Sequence, residues 1–246
     1  MTIPVHSVDL GPADVRGWFT GRPAHDASSV GQAGNLSHRR PHAPTRLAAD
    51  RRAVAAEIGF PVASWQWMGQ VHGASVAVVG EDTPDGAEHR AVDGMVTTRH
   101  DVPLVVQVAD CVPVLFASDV AVGVAHAGRR GIELGVVEAV VARLRGVGTK
   151  AIDAVVGPSI GGCCYEVPRE MHDSFVANDP SAAAITTWGT PSLDLSAAVM
   201  HRLSVLDVEV TSFEACTRCD PDRQWFSHRA DPTAGRLVGI VVRQGR

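Results

Sequence analysis

The sequence predicts an α+β domain, and three observations predict it. Short Val-rich runs bounded by Gly, Pro and Asp crowd residues 64–125. Helical patterns are few and isolated between strand pairs. No GxGxxG follows a strand and no GxxxxGK[ST] occurs, so a dinucleotide-binding or P-loop α/β fold has no support.

Residues Gly21 to Pro44 are rich in Gly, Ser, Ala, His and Arg without periodicity, which predicts a long loop. Thr45–Ile58 predicts a helix: Leu47, Val54 and Ile58 share a face, Thr45 is the expected N-cap, and Gly59 and Pro61 end it. Strands are expected at Ser64–Met68, Ser75–Val79, Val92–Thr98, Leu104–Val108, Val112–Ala117 and Val120–Ala125. Gly131–Leu144 carries apolar residues at helical spacing, Ala151–Val156 is a strand, and Pro168–Val176 and Leu195–Leu206 are helices. Val208–Phe213 and Leu237–Val242 close the chain as strands.

With 246 residues and no internal repeat or low-complexity linker, the chain is expected to form a single domain over 1–246. A formal net charge of −5 argues against coating a phosphate backbone, so no nucleic-acid partner is expected. The apolar stretch Val102–Ala127 is broken by Pro103, Asp110, Pro113 and Asp119, which predicts buried strands and no membrane span. The first residues lack a basic start followed by an apolar core, so a cytoplasmic location is expected. Five cysteines is an odd number, which favours reduced thiols, metal ligands or a nucleophile over a disulfide framework.

Three stretches carry candidate chemistry: Gly69-Gln70-Val71-His72-Gly73, Ala109-Asp110-Cys111 and Ala125-His126-Ala127-Gly128. Each lies at the end of a predicted strand, where sites commonly assemble. Imidazole and thiolate suit zinc, and three protein donors with one open position is the catalytic arrangement. On spacing alone another reading stands beside it: Cys111 packs as a small hydrophobe and each His caps a turn. Asp110 either orients a ligand or caps a turn, and Asp93 reads the same two ways. Tyr165 is the only tyrosine, with core packing as the simpler reading. Cys163-Cys164 and Cys216-x-x-Cys219 raise a second zinc site. Adjacent cysteines point to opposite sides along a strand, which argues against one ion taking both. A redox pair at Cys216 and Cys219 lacks a thioredoxin-like context.

A set of longer motifs spans nearly the whole chain. They are QVHG at Gln70–Gly73, VDGMVTT at Val92–Thr98, ADCVPVLF at Ala109–Phe116, HAGRRG at His126–Gly131 and GPSIGGCCYEV at Gly157–Val167. Cys216-Thr217, Phe226-Ser227-His228-Arg229 and Gly235-Arg236 complete the set. In order and spacing the chain resembles the YfiH/YlmD family, also called the multicopper polyphenol oxidase or laccase-domain family. The resemblance implies a four-layer α/β/β/α sandwich with mixed sheets and no cupredoxin domains. It also implies that His72, Cys111 and His126 bind one metal, zinc, with copper as the alternative. Two positions depart from the family pattern: Arg129 stands where the family has Trp, and Val199 near a late-helix Asn. The first bears on the pocket wall, the second on packing.

The implied activities are phosphorolysis of adenosine, inosine and methylthioadenosine, and deamination of adenosine. The implied partners are then a purine nucleoside and phosphate, with a monomer as the default state. Arg130, in the HAGxRG match, is the leading anion-binding candidate, with Arg51, Gln70 and Arg229 as further substrate contacts. Read singly, each Arg is a solvated surface charge. Another name of the family, peptidoglycan editing factor, implies a competing activity, a Cys/His hydrolase or amidase on cell-wall precursors with Cys111 as nucleophile and His126 as base. Copper-dependent phenol oxidation is a third, weakened because one His/His/Cys site lacks the several coppers of four-electron oxygen chemistry. A non-catalytic metal-binding protein is a fourth.

Overall fold

The computed structural model describes residues 2–23 and 33–245, so part of the loop expected at Gly21–Pro44 lies outside the described residues. The chain begins with strands β1 (Val5–Val8) and β2 (Val15–Thr20), followed by helix α1 (Pro44–Ile58). Next come β3 (Trp67–Gly69), β4 (Val76–Val79), β5 (Glu88–Arg90), β6 (Gly94–Thr97), β7 (Leu104–Val108), β8 (Val112–Ala117) and β9 (Val122–Ala127). Helices α2 (Arg129–Glu133) and α3 (Val136–Gly146) lead to β10 (Asp153–Val156) and α4 (Arg169–Asn178). A short hairpin, β11 (Ala183–Ile185) and β12 (Pro191–Leu193), precedes α5 (Leu195–Val205), β13 (Glu209–Ser212) and β14 (Leu237–Arg243).

Two sheets stack face to face. One has four strands in the order β1-β2-β14-β7, the other six in the order β13-β10-β8-β9-β6-β4. The six-stranded sheet is mixed, with β4–β6 and β10–β13 parallel and the rest antiparallel. Phe19, Met95, Leu104, Val106, Leu115 and Val124 fill the space between the sheets. On the outer face of the smaller sheet, Val54 and Ile58 of α1 pack with Trp65, Val105 and Ile240. On the outer face of the larger sheet, Ile132, Val137, Val140, Phe175 and Val199 from α2–α5 pack on Val114, Phe116 and Val156. The layers are therefore α/β/β/α. Burying both faces explains why β7, β8 and β9 read as unbroken apolar runs, with every residue of each strand buried. No helix among the described residues is long and apolar enough to cross a membrane.

Several boundaries differ from expectation. Helix α1 starts one residue early: Pro44 occupies the first turn and Ala43 the N-cap, with no side-chain cap from Thr45. Proline lacks the N–H that would need a partner there, so the cap residue is dispensable. The helix expected at Gly131–Leu144 is two, because Gly135 at φ +83° takes the left-handed conformation between α2 and α3. Strands β1, β2, β5, β11 and β12 form where no strand is expected from the sequence. Val199 lies in the core of α5, fully buried among apolar neighbours.

The register of the six-stranded sheet sets where chemistry can gather. Val76 pairs with Gly94, Gly94 with Ala125, and Ala127 with Val112. The starts of β4, β6 and β8 and the end of β9 thus share one edge. Val156, the end of β10, pairs with Val114 and Ser212, the end of β13, so the loops after β10 and β13 leave from that edge too.

Candidate metal centre

His72, Asp93 and Cys111 precede β4, β6 and β8 closely, and His126 is the penultimate residue of β9. The shared edge therefore brings together residues far apart in the chain. His72 Nε2 lies 3.6 Å from Cys111 Sγ. The His72 and His126 rings meet edge to face, with centroids 4.7 Å apart. One donor atom from each of the three lies within 4.8 Å of the others. Tetrahedral zinc with N and S ligands at about 2.0–2.3 Å holds its donors roughly 3.3–3.8 Å apart, so the set fits such an ion with small adjustment.

Asp93 organises this arrangement. Its carboxylate, fully buried, accepts the backbone N–H groups of Val71, His72 and Gly73 at 2.7–3.2 Å. It also takes His126 Nδ1 at 2.8 Å. The first contacts fix the loop that presents His72, whose own φ is 60°. The second fixes the His126 tautomer, leaving Nε2 for the cluster. Burial alone would raise the Asp93 pKa, but the His126 hydrogen bond and the backbone donors outweigh it and hold the carboxyl below its ordinary value. Asp93 is therefore the orienting carboxylate. Asp110 plays a different part: in a left-handed conformation at φ 84°, it accepts Thr217 Oγ1 and the Arg229 backbone N–H, each at 2.6 Å. It thereby ties the Cys111 loop to the C-terminal segment.

Gly128 is required by proximity. A Cβ there would lie 2.7 Å from His72 Cδ2 and 3.1 Å from Cys111 Sγ. Burial favours the neutral Cys111 thiol, but the His126 charge and hydrogen bonds from both imidazoles win and lower it to about 6. Burial likewise opposes charge on His126, yet Cys111 and Asp93 raise it to about 9.

Two cavities open on either side of the donors, and both are lined by His72, Ala109, Cys111 and His228. The larger, about 470 Å³, adds Arg129, Arg130, Ile160, Tyr165, Leu195 and Arg229. The smaller, about 300 Å³, adds Ser37, Arg39, Arg40, Gln70, Gln107 and Arg236. Arg129 is paired to Glu133 at 2.8 Å and Arg39 to Glu88. Arg40 and Arg236 bind backbone carbonyls, with no carboxylate within ion-pair reach among the described residues. Burial and the neighbouring Arg40 charge both lower the Arg236 pKa.

The residues expected to contact substrate divide. Arg130 is exposed and Arg229 sits over the Tyr165 ring at 4.9 Å, both on the larger cavity. Gln70 lines the smaller one, locked by a two-way hydrogen bond to the Gln107 backbone. Arg51 lines neither: it donates to the Leu36 carbonyl and stacks on Trp67 at 4.1 Å. Tyr165 lines the larger cavity as well as touching the core. Arg40 is not singled out by the sequence, and His228 and Arg236 only within motifs. The run Phe226-Ser227-His228-Arg229 was the available signal for His228.

Residues 16–244 match the family described as Multi-copper polyphenol oxidoreductase laccase. A Streptomyces coelicolor protein named purine nucleoside phosphorylase is 44% identical over 203 residues, 80% of this chain and 83% of its own. A protein of the same name from Corynebacterium glutamicum is 36% identical over 241 residues, covering 96% and 97% of the two chains. Among solved structures, YfiH of Bacillus licheniformis superposes with a TM-score of 0.84 at 26% identity, over 94% of this chain and 93% of that one. YlmD from Geobacillus stearothermophilus does so with 0.83 at 27% identity, over 98% and 100%. The chain belongs to the multi-copper polyphenol oxidoreductase laccase family, together with YfiH and YlmD.

Proposed function

We propose that this protein is a zinc-dependent purine nucleoside phosphorylase acting on adenosine, inosine and methylthioadenosine, and that the same centre deaminates adenosine. The observation that carries the reading is a His/Cys/His donor set lying between two arginine-lined cavities. The relatives named purine nucleoside phosphorylase, at 36–44% identity, support it.

His72, Cys111 and His126 would hold the zinc, which would supply Lewis acidity and make water a stronger acid near neutral pH. The chain's own residues do the rest. The nucleoside occupies the larger cavity, its base against Tyr165, whose far contacts with Arg229 hold the ring in place. Phosphate occupies the smaller cavity, where the Arg40 and Arg236 guanidinium groups have no carboxylate within ion-pair distance among the described residues. A phosphate oxygen then forms the bond to ribose C1′ as the bond to purine N9 breaks, and the departing base takes up a proton. His228, facing both cavities, is positioned to deliver it. Arg130, with no carboxylate partner within reach among the described residues, faces the ribose side of the larger cavity. The enzyme acts as a cytoplasmic monomer of one domain.

Zinc-loaded protein incubated with adenosine and phosphate is expected to release adenine and ribose 1-phosphate, and without phosphate to release inosine. Absence of both products removes the reading. One observation favours a second: the Cys111 sulfur beside a His126 ring that Asp93 orients is also the makeup of a nucleophile and its base. A Cys/His hydrolase of peptidoglycan precursors would keep its activity after chelation, whereas phosphorolysis would lose it.

A further inference from the structure

The remaining four cysteines form a second cluster. One sulfur each from Cys163, Cys164, Cys216 and Cys219 lies within 4.8 Å of the other three. Cys163 Sγ is 3.7 Å from Cys164 Sγ and 3.6 Å from Cys219 Sγ, and all are free thiols. Four thiolates about 2.3 Å from one tetrahedral zinc stand about 3.8 Å apart, so the spacing matches a zinc site and is far outside an S–S bond. From this geometry we infer that the protein holds a second, structural zinc ion in a four-cysteine site.

Cys163 and Cys164 lie in a turn rather than along a strand. Cys164 and Tyr165 both donate their N–H to the Gly161 carbonyl, and the turn sends both sulfurs to one side. The other pair is a CxxC turn closed by the Asp220 N–H on the Cys216 carbonyl. The Gly161 N–H donates to Cys216 Sγ at 3.3 Å, and the N–H groups of Arg218 and Cys219 point at the same sulfur. Backbone donors converging on one sulfur suit a metal-bound thiolate. The loops fit only because side chains are missing: a Cβ on Gly161 would lie 3.2 Å from Cys163 Sγ, and one on Gly162 would lie 2.7 Å from Ala184 Cβ.

Four protein ligands leave no open coordination position, so this ion holds structure and does no chemistry. It clips the loop after β10 to the loop after β13. The Ile160 N–H in the first loop donates to the Asp110 carbonyl, and Thr217 in the second donates to the Asp110 carboxylate, one residue from Cys111. Tyr165, next to Cys164, lines the larger cavity. The clip therefore braces one wall of the cavity beside the first centre. It stands independently of the proposed enzymatic activity.

The test is metal content and ligand type on the full-length protein purified under reducing conditions and equilibrated with zinc. Wild type is expected to hold two zinc equivalents, Cys111→Ser to lose only one, and Cys219→Ser to lose only the other. Cys219→Ser is also expected to melt more than about 5 °C lower. Cadmium-113 NMR of the wild type needs no variant: two resonances are expected, one in the tetrathiolate region and one upfield. A single resonance from the mixed N/S site overturns the inference, as does a zinc count unchanged in folded Cys219→Ser. A non-reducing mass showing two of these cysteines already joined in protein made without reductant, with no second zinc bound, overturns it as well.

Discussion

Two sulfur-bearing clusters sit on the same edge of the six-stranded sheet, and they are built on different plans. His72, Cys111 and His126 come from three strand ends, two of them on loops, and meet between two cavities. Cys163, Cys164, Cys216 and Cys219 come from two neighbouring loops and fill their own interior. A buried carboxylate orients the first group, whereas backbone N–H groups orient the second. Three donors beside two cavities would leave a bound ion one open position, as catalysis needs. Four donors would use every position on protein, as bracing needs. Sheet topology alone supplies a gathering point, and the number of donors reaching it separates the two uses.

The contrast breaks most visibly at the ligands. Cys111→Ser and His126→Ala are expected to lower kcat/KM for adenosine phosphorolysis by about 10³-fold or more while leaving the melting temperature within a few degrees. Cys219→Ser should do the reverse, lowering the melting temperature while kcat changes by less than about 10-fold. Steady-state kinetics and calorimetry on the same preparations decide it. If both variants lose activity equally, the division between a working and a bracing cluster fails.

Asp93→Asn tests how the first cluster is oriented. The amide keeps the shape but loses the charge that receives three backbone N–H groups and His126. Zinc affinity at the first centre is expected to fall about 10–100-fold, measured by competition with a chelator, with the four-cysteine site unaffected. Gly128→Ala sharpens the same point sterically, because its Cβ collides with His72 at 2.7 Å. Zinc occupancy of the first site alone should drop, by about 10-fold in affinity.

The two cavities can be separated in turn. Arg40→Ala is expected to raise KM for phosphate by about 10-fold with KM for adenosine little changed, and Tyr165→Ala to do the opposite. Initial rates with each substrate varied show which cavity holds which partner, and a matching rise in both would remove the assignment.

The smallest effect concerns an ion pair belonging to neither cluster. Buried Asp179 accepts Arg202 Nε at 2.8 Å and the Ser181 hydroxyl at 2.5 Å. Burial alone would raise its pKa, yet these partners hold it below the ordinary carboxylate value. A depressed folded pKa means the stabilisation is present above the unfolded pKa and is lost as pH falls from about 4 through the folded value. Asp179→Asn should therefore cost about 1 kcal/mol near neutrality and flatten that acid limb of the stability profile, read by urea unfolding at several pH values.

Long periodic elements were legible in the sequence. Helix α1 and strands β7 and β8 fall within a residue of the expected bounds and β9 runs two residues later, because burial on one helical stripe or on both strand faces leaves an apolar pattern. Strand β2 was not, although it is central to its sheet: Arg16 and Gly17 interrupt a six-residue run too short to show a period. His72, Cys111 and His126 stand out through motif resemblance, while Asp93 reads equally as an orienting carboxylate or a turn residue, because its partners, Val71 to Gly73 and His126, lie about 20 and 33 positions away. Arg51 was selected for its charge, and that charge is spent on the Leu36 carbonyl and the Trp67 face.

By itself the sequence determined the family, the α+β class and the donor types, since these rest on residue identity and local pattern. Only the tertiary structure decided which carboxylate orients His126, which arginines line a cavity and that four cysteines share one space. Those properties depend on strand register and on turns that bring distant segments within a few ångströms, and neither is encoded in any short window of the chain.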